Sequence, residues 1–91
     1  MLNVIKRELE IDTELKKRIE VICSFCNTRP IFINGSIRKI DKTNLSYVEP
    51  HRVLIENKLF LVFNYSNEIY INDLSNKIEL SSLKEYLKNN K

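Results

Sequence analysis

The chain has 91 residues, 43% of them apolar and 30% charged, a balance that supports one hydrophobic core and excludes both a disordered chain and a pair of independent domains. No apolar run approaches the roughly 20 residues that span a bilayer, and the first residues mix charges where a secretory signal would place a basic and then an apolar segment. A membrane partner is therefore not expected, and the cytoplasm is the expected location. The net charge of +3 is small, but its placement is uneven. Residues 1–20 and 59–91 are each balanced, so the surplus lies between them, where Arg29, Arg38, Lys39, Lys42, Arg52 and Lys58 face only Asp41, Glu49 and Glu56. An anionic partner would meet the chain there.

In chain order, Leu2, Val4, Ile5, Leu9 and Ile11 suit a short helix, which makes residues 1–26 a helical amino-terminal segment. Asp12 or Thr13 can cap a second helical stretch, because a short side-chain oxygen satisfies a free backbone donor of the first turn. Leu15, Ile19, Ile22 and Cys26 then recur at steps of four, three and four, one stripe facing a core. Asn27 and Pro30 end that helix.

Residues 30–33, Asn34-Gly35 and residues 36–40 predict a tight hairpin, since both central residues of a type I′ turn need positive φ. Residues 41–44 read as a polar turn. Residues 47–55 and 59–65 predict a second hairpin across Glu56-Asn57-Lys58. Leu59, Leu61, Phe63 and Tyr65 alternate with Phe60, Val62 and Asn64, so this strand is expected to be central and buried on both faces. Ser66-Asn67 turns into a strand over 68–72, and residues 78–80 hold a last short one. Ser82 and Glu85 form a capping box for a helix over 82–89 whose contacts are Leu83, Tyr86 and Leu87. The expected fold is α+β in a single domain: a helix, five or six antiparallel strands over 29–80 curled into a small barrel, and a terminal helix.

Cys23-Ser24-Phe25-Cys26 has the spacing of metal and redox sites. A structural zinc needs four ligands, and His51, the one histidine, raises the count to three. A redox pair belongs at a helix amino terminus, whereas this pair falls near a carboxyl terminus. Both cysteines read as reduced core thiols, with no metal. His51 beside Arg52 could serve a small nuclease as a base with a phosphate clamp, but no second titratable group has a spacing that holds it next to His51. With no glycine-rich phosphate loop and no nucleophile elbow, neither an enzyme nor a cofactor is expected. Basic residues around Arg38, Lys39, Lys42 and Arg52, with Tyr47 and Phe32 nearby, suit a surface that meets phosphates and stacks bases. A solvated strand face explains the same residues, and alternation sets Arg38 and Lys39 on opposite sides of their strand.

The order of elements over roughly residues 15–80 resembles a WYL domain. The carriers are a helix leading into an Ile-rich strand, then Val48-Glu49-Pro50-His51-Arg52-Val53-Leu54, then Leu59-Phe60-Leu61-Val62 in the place of the strand that names the family. Leu59 stands for the family's Trp and Phe60 for its Tyr, and Tyr70-Ile71-Asn72-Asp73 replaces an arginine-bearing strand. The resemblance implies an Sm-like or SH3-like barrel that senses a nucleic acid or nucleotide, in a regulator or accessory protein of transcription or phage defence. The 26 residues ahead of the barrel are too few for the winged helix-turn-helix that commonly precedes it. The candidate contacts are Arg38, Lys39, Tyr47, His51 and Arg52. The other expectation is a protein-interaction module, a phage or mobile-element inhibitor or an assembly subunit, that binds a protein partner or forms a homodimer through its amino-terminal segment and a strand edge.

Overall fold

The computed structural model describes residues 4–40 and 45–89; the turn expected at 41–44 lies outside the described residues. Two helices and two antiparallel sheets form an α+β domain. Strand β1 is Val4–Leu9, helix α1 is Thr13–Phe25, and β2 and β3 are Ile31–Ile33 and Gly35–Ile40. Strands β4 and β5 are Leu45–Glu49 and His51–Ile55, β6 is Lys58–Val62, β7 is Glu68–Ile71 and β8 is Lys77–Glu79. A 3-10 turn at Leu80–Ser82 leads into helix α2, Leu83–Asn89. No helix of the described residues is long and apolar enough to cross a membrane.

Helix α1 follows its local signals. Asp12 Oδ2 accepts a 3.2 Å hydrogen bond from Leu15 N–H, which satisfies a first-turn donor. At the other end Asn27 has φ 55°, and the N–H groups of Asn27 and Thr28 donate back to the carbonyls of Ser24 and Cys23, a Schellman closure. Leu15, Ile19 and Cys26 of the expected stripe are buried, Ile22 is half-buried, and Cys23 joins them. Helix α2 adds Leu83 and Leu87, and Tyr86 meets Phe60 edge-on at 5.8 Å. Both helices pack on one face of a sheet with the order β2-β5-β6-β7-β8. Val53, Ile55, Phe60, Val62 and Ile69 project into that single core, each such buried side chain contributing about 1.5–3 kcal/mol.

Several expectations are corrected. Residues 4–9 form a strand, not a helix: Val4–Leu9 pairs antiparallel with β3, and the Lys6/Glu8 against Ile5/Arg7/Leu9 alternation has the period of a strand. Asn34-Gly35 makes no hairpin turn. Neither residue has positive φ, β2 pairs with β5, and β3 pairs with β1 and β4. Residues 47–55 are not one strand, because Pro50 separates β4 from β5 and lacks the N–H a ladder needs. Finally, no closed barrel of five or six strands forms: the described residues hold eight strands, seven of them within 29–80. The strands divide into sheets of three and five, and the edges β2 and β8, three residues each, do not meet.

The hairpin that does form is longer than expected. Ile33 stands opposite Arg52 and Ser36 opposite Glu49, so three residues advance on each strand and register is kept across the junction. Residues 31–40 and 45–54 are thus one ribbon that leaves the five-stranded sheet and enters the three-stranded one. At the crossing, a Cβ on Gly35 would collide with the Glu49 carbonyl oxygen and lie 3.1 Å from His51 N, so glycine is required for the close approach of two backbones. The type I′ turn sits elsewhere, between β5 and β6, where Glu56 and Asn57 have φ 52° and 65°.

Among the described residues, sheet β1-β3-β4 contributes none to the apolar core, and it extends as an arm. The molecule measures 48 × 25 × 21 Å with a radius of gyration of 14.8 Å, against about 12 Å for a compact chain of this length. The central strand β6 is buried on one face only. Phe60 and Val62 face the helices, while Leu59, Leu61 and the following Phe63 lie half-buried on the opposite face.

Candidate functional site

Directly opposed residues in antiparallel strands share a face. Lys6, Arg38 and Tyr47 form one such row across the arm, and Glu8, Ser36 and Glu49 form the next. Where the ribbon crosses between sheets, this arm face and the outer face of β5 and β6 close on each other. They enclose a groove of about 660 Å³ that takes in Lys6, Ser36, Arg38, Glu49, Arg52 and Leu61. Its size falls within the range of small-molecule sites.

Glu49 sits among the cations. Arg38 Nε lies 2.7 Å from Glu49 Oε1, an ion pair in which the Nε–H makes no well-directed hydrogen bond. The Ser36 hydroxyl donates a 2.6 Å hydrogen bond to Glu49 Oε2. This hydroxyl, followed by the charges of Arg38, Lys6 and Arg52, holds the Glu49 carboxyl below its ordinary value despite some desolvation. Three cations from β1, β3 and β5 therefore act on one point, and a carboxylate occupies it. On the outer face of the larger sheet Arg52 stands opposite Leu61, and Leu61 opposite Tyr70. Phe63 meets Tyr70 edge-on at 6.0 Å. The groove thus opens onto an apolar and aromatic platform two strand spacings, about 10 Å, from Arg52.

Of the residues singled out in the sequence, Arg38 and Arg52 meet in the groove, and Tyr47, 48% exposed, stands next to Arg38 on the same arm face. Lys39 is exposed on the opposite arm face, in the row of Ile5. His51 lies beneath the groove at 2% exposure. Its Nδ1 accepts a 2.7 Å hydrogen bond from Gly35 N–H, and burial lowers its pKa against a smaller opposing effect of a hydrogen bond with Asn64. With Nδ1 accepting, the neutral ring carries its proton on Nε2. Asn64 in turn accepts from Asp12 N–H at 2.7 Å and donates to the Glu10 carbonyl at 3.1 Å. His51 therefore ties the ribbon crossing to the β1–α1 connection.

Lys6 is the groove cation that sequence reasoning missed. Its place depends on β1 pairing with β3, a contact across more than thirty residues that the balanced charge of residues 1–20 conceals. Cys23 and Cys26 are buried free thiols. Desolvation, with a smaller effect of Cys26, pushes the Cys23 thiol up to about 11. Among the described residues no group of three or more His, Cys, Asp and Glu side chains is placed to hold a metal ion. Comparison with models of protein families, with curated proteins and with solved structures gives no match.

Proposed function

We propose that this chain is a binding and sensing module for a phosphate-bearing ligand, a nucleotide or a short single-stranded nucleic acid. Such a module suits a regulator or accessory protein, as the likeness to WYL domains implies. The observation that carries the reading is the convergence of Lys6, Arg38 and Arg52 around Glu49 in one groove. A phosphate brings more charge and more acceptor oxygens than the carboxylate it would displace from Arg38. The platform of Leu61, Phe63 and Tyr70 supplies π-faces and apolar surface for a base, and base stacking tolerates any sequence.

Fluorescence anisotropy with a labelled single-stranded oligonucleotide, competed by free nucleotides, tests the reading and separates the two ligand forms. Binding should weaken with salt at a slope of about −2 in log K against log salt, from roughly 0.7 per contact at three cations. Reversing Arg38 and Arg52 together to Glu should abolish it. Reversing Lys39, on the opposite face, should leave most of it. Equal loss in both variants, or no binding of any phosphate ligand at low salt, refutes the groove as the site.

A further inference from the structure

An edge strand exposes a row of unpaired N–H and C=O groups, and proteins guard such rows with charge, proline or shortness. The described residues form four edges, and three are guarded. β1 carries Lys6, Arg7 and Glu8 at its centre. β2 is three residues long and follows Pro30, and β8 is three residues long and carries Lys77 and Glu79. The fourth, β4, is five residues, Leu-Ser-Tyr-Val-Glu, with no charge before its last position and no proline inside it. Tyr47 and Val48 on it are 48% and 51% exposed, and among the described residues β3 is its one neighbour in the sheet.

We infer that the β4 edge pairs with the β4 edge of a second copy of this chain, joining two arms into one six-stranded antiparallel sheet about a two-fold axis at Tyr47. The occupant is argued from charge. Antiparallel pairing centred on Tyr47 sets Val48 opposite Ser46 and Glu49 opposite Leu45, so no like charges face each other across the seam. Glu49 is already compensated by Arg38 at 2.7 Å, which leaves nothing on this edge to attract a strongly charged partner. A two-fold normal to the joined sheet also keeps like faces on one side, so the face that carries Ile5, Ile37 and Val48 with Arg7 and Lys39 runs on from one copy to the next. Five residues extend about 17 Å and bury less than the roughly 800 Å² per partner of a standard interface. The dimer is therefore reversible, with a micromolar rather than nanomolar dissociation constant. The inference is independent of what the groove binds.

Sedimentation equilibrium of the full chain across the micromolar to millimolar range tests it. The apparent mass should rise from 10.8 kDa to twice that value. Val48→Lys, a charge placed on the free edge, should hold the chain monomeric. Ile5→Lys, at an equally exposed position of the same face on the distant β1 edge, should leave the dissociation constant within about threefold, as expected of a surface change away from the contact. Amide exchange along β4 should slow with concentration in the wild type and not in Val48→Lys, while far-UV circular dichroism checks that both variants are folded. A chain that stays monomeric throughout overturns the inference. So does Ile5→Lys weakening association as much as Val48→Lys, which would point to packing through the arm face.

Discussion

The backbone N–H of Gly35 donates a 2.7 Å hydrogen bond to Nδ1 of His51, the contact at which the long ribbon passes from one sheet into the other. Replacing His51 with Leu keeps most of the volume but leaves that buried N–H without an acceptor, a loss of about 1–3 kcal/mol. Chemical denaturation should show the midpoint falling with an unchanged m-value.

The same residue gives stability a pH dependence. Burial depresses the folded-state pKa of His51 below its ordinary 6.5. Above 6.5 the ring is neutral in both states and the contribution is complete. As pH falls below 6.5 the unfolded chain takes up a proton that the folded one refuses, so stability drops until the folded pKa is passed. Thermal melts between pH 7.5 and 5 should reveal this slope, and His51→Leu should flatten it.

Gly35→Ala tests the close approach directly. The added methyl meets the Glu49 carbonyl, which is backbone and cannot swing aside, so destabilisation of roughly 1–3 kcal/mol is expected from overpacking. A neutral result in the unfolding curve would mean that the ribbon crossing gives way easily.

Glu49→Gln removes the anion that Lys6, Arg38 and Arg52 surround. If those cations serve a phosphate ligand, this variant should bind it several-fold more tightly, with a steeper dependence on salt. Weaker binding on titration would instead give Glu49 a positioning role.

Cys23 should be inert. A buried thiol raised to about 11 supplies almost no thiolate at neutral pH. Ellman's reagent should therefore label the native protein far more slowly than the chain in denaturant, and the rate should follow unfolding.

Much of the body was legible because its signals are local. The Asp12 cap, the Leu15/Ile19/Ile22/Cys26 stripe, the Asn27 exit and the α2 contacts lie within a turn or two of the residues that cause them. Several of the misreadings share a cause, since they depend on residues distant in sequence. Asn34-Gly35 has the composition of a hairpin turn, yet Gly35 is needed because Glu49 and His51 crowd it from another strand. Lys6 belongs to a balanced segment until β1 lies beside β3. His51 and Arg52 are neighbours in sequence, but alternation along β5 buries one and exposes the other. The continuous apolar run of β6 predicts a central strand, and β6 is the middle strand of its sheet. Its outer half, however, is left without a covering layer.

The unbroken register through the crossing means that the arm inherits its alignment from the body. With none of its described residues in the apolar core, it has little means to correct a misalignment. One residue inserted between Ile33 and Gly35 would slip every β3 pair beyond it by one and turn each β3 side chain to the other face. Arg38 would leave the groove and Lys39 would take its side of the strand. Variation in length at this short junction is therefore closed to the protein, although nothing there belongs to the hydrophobic core.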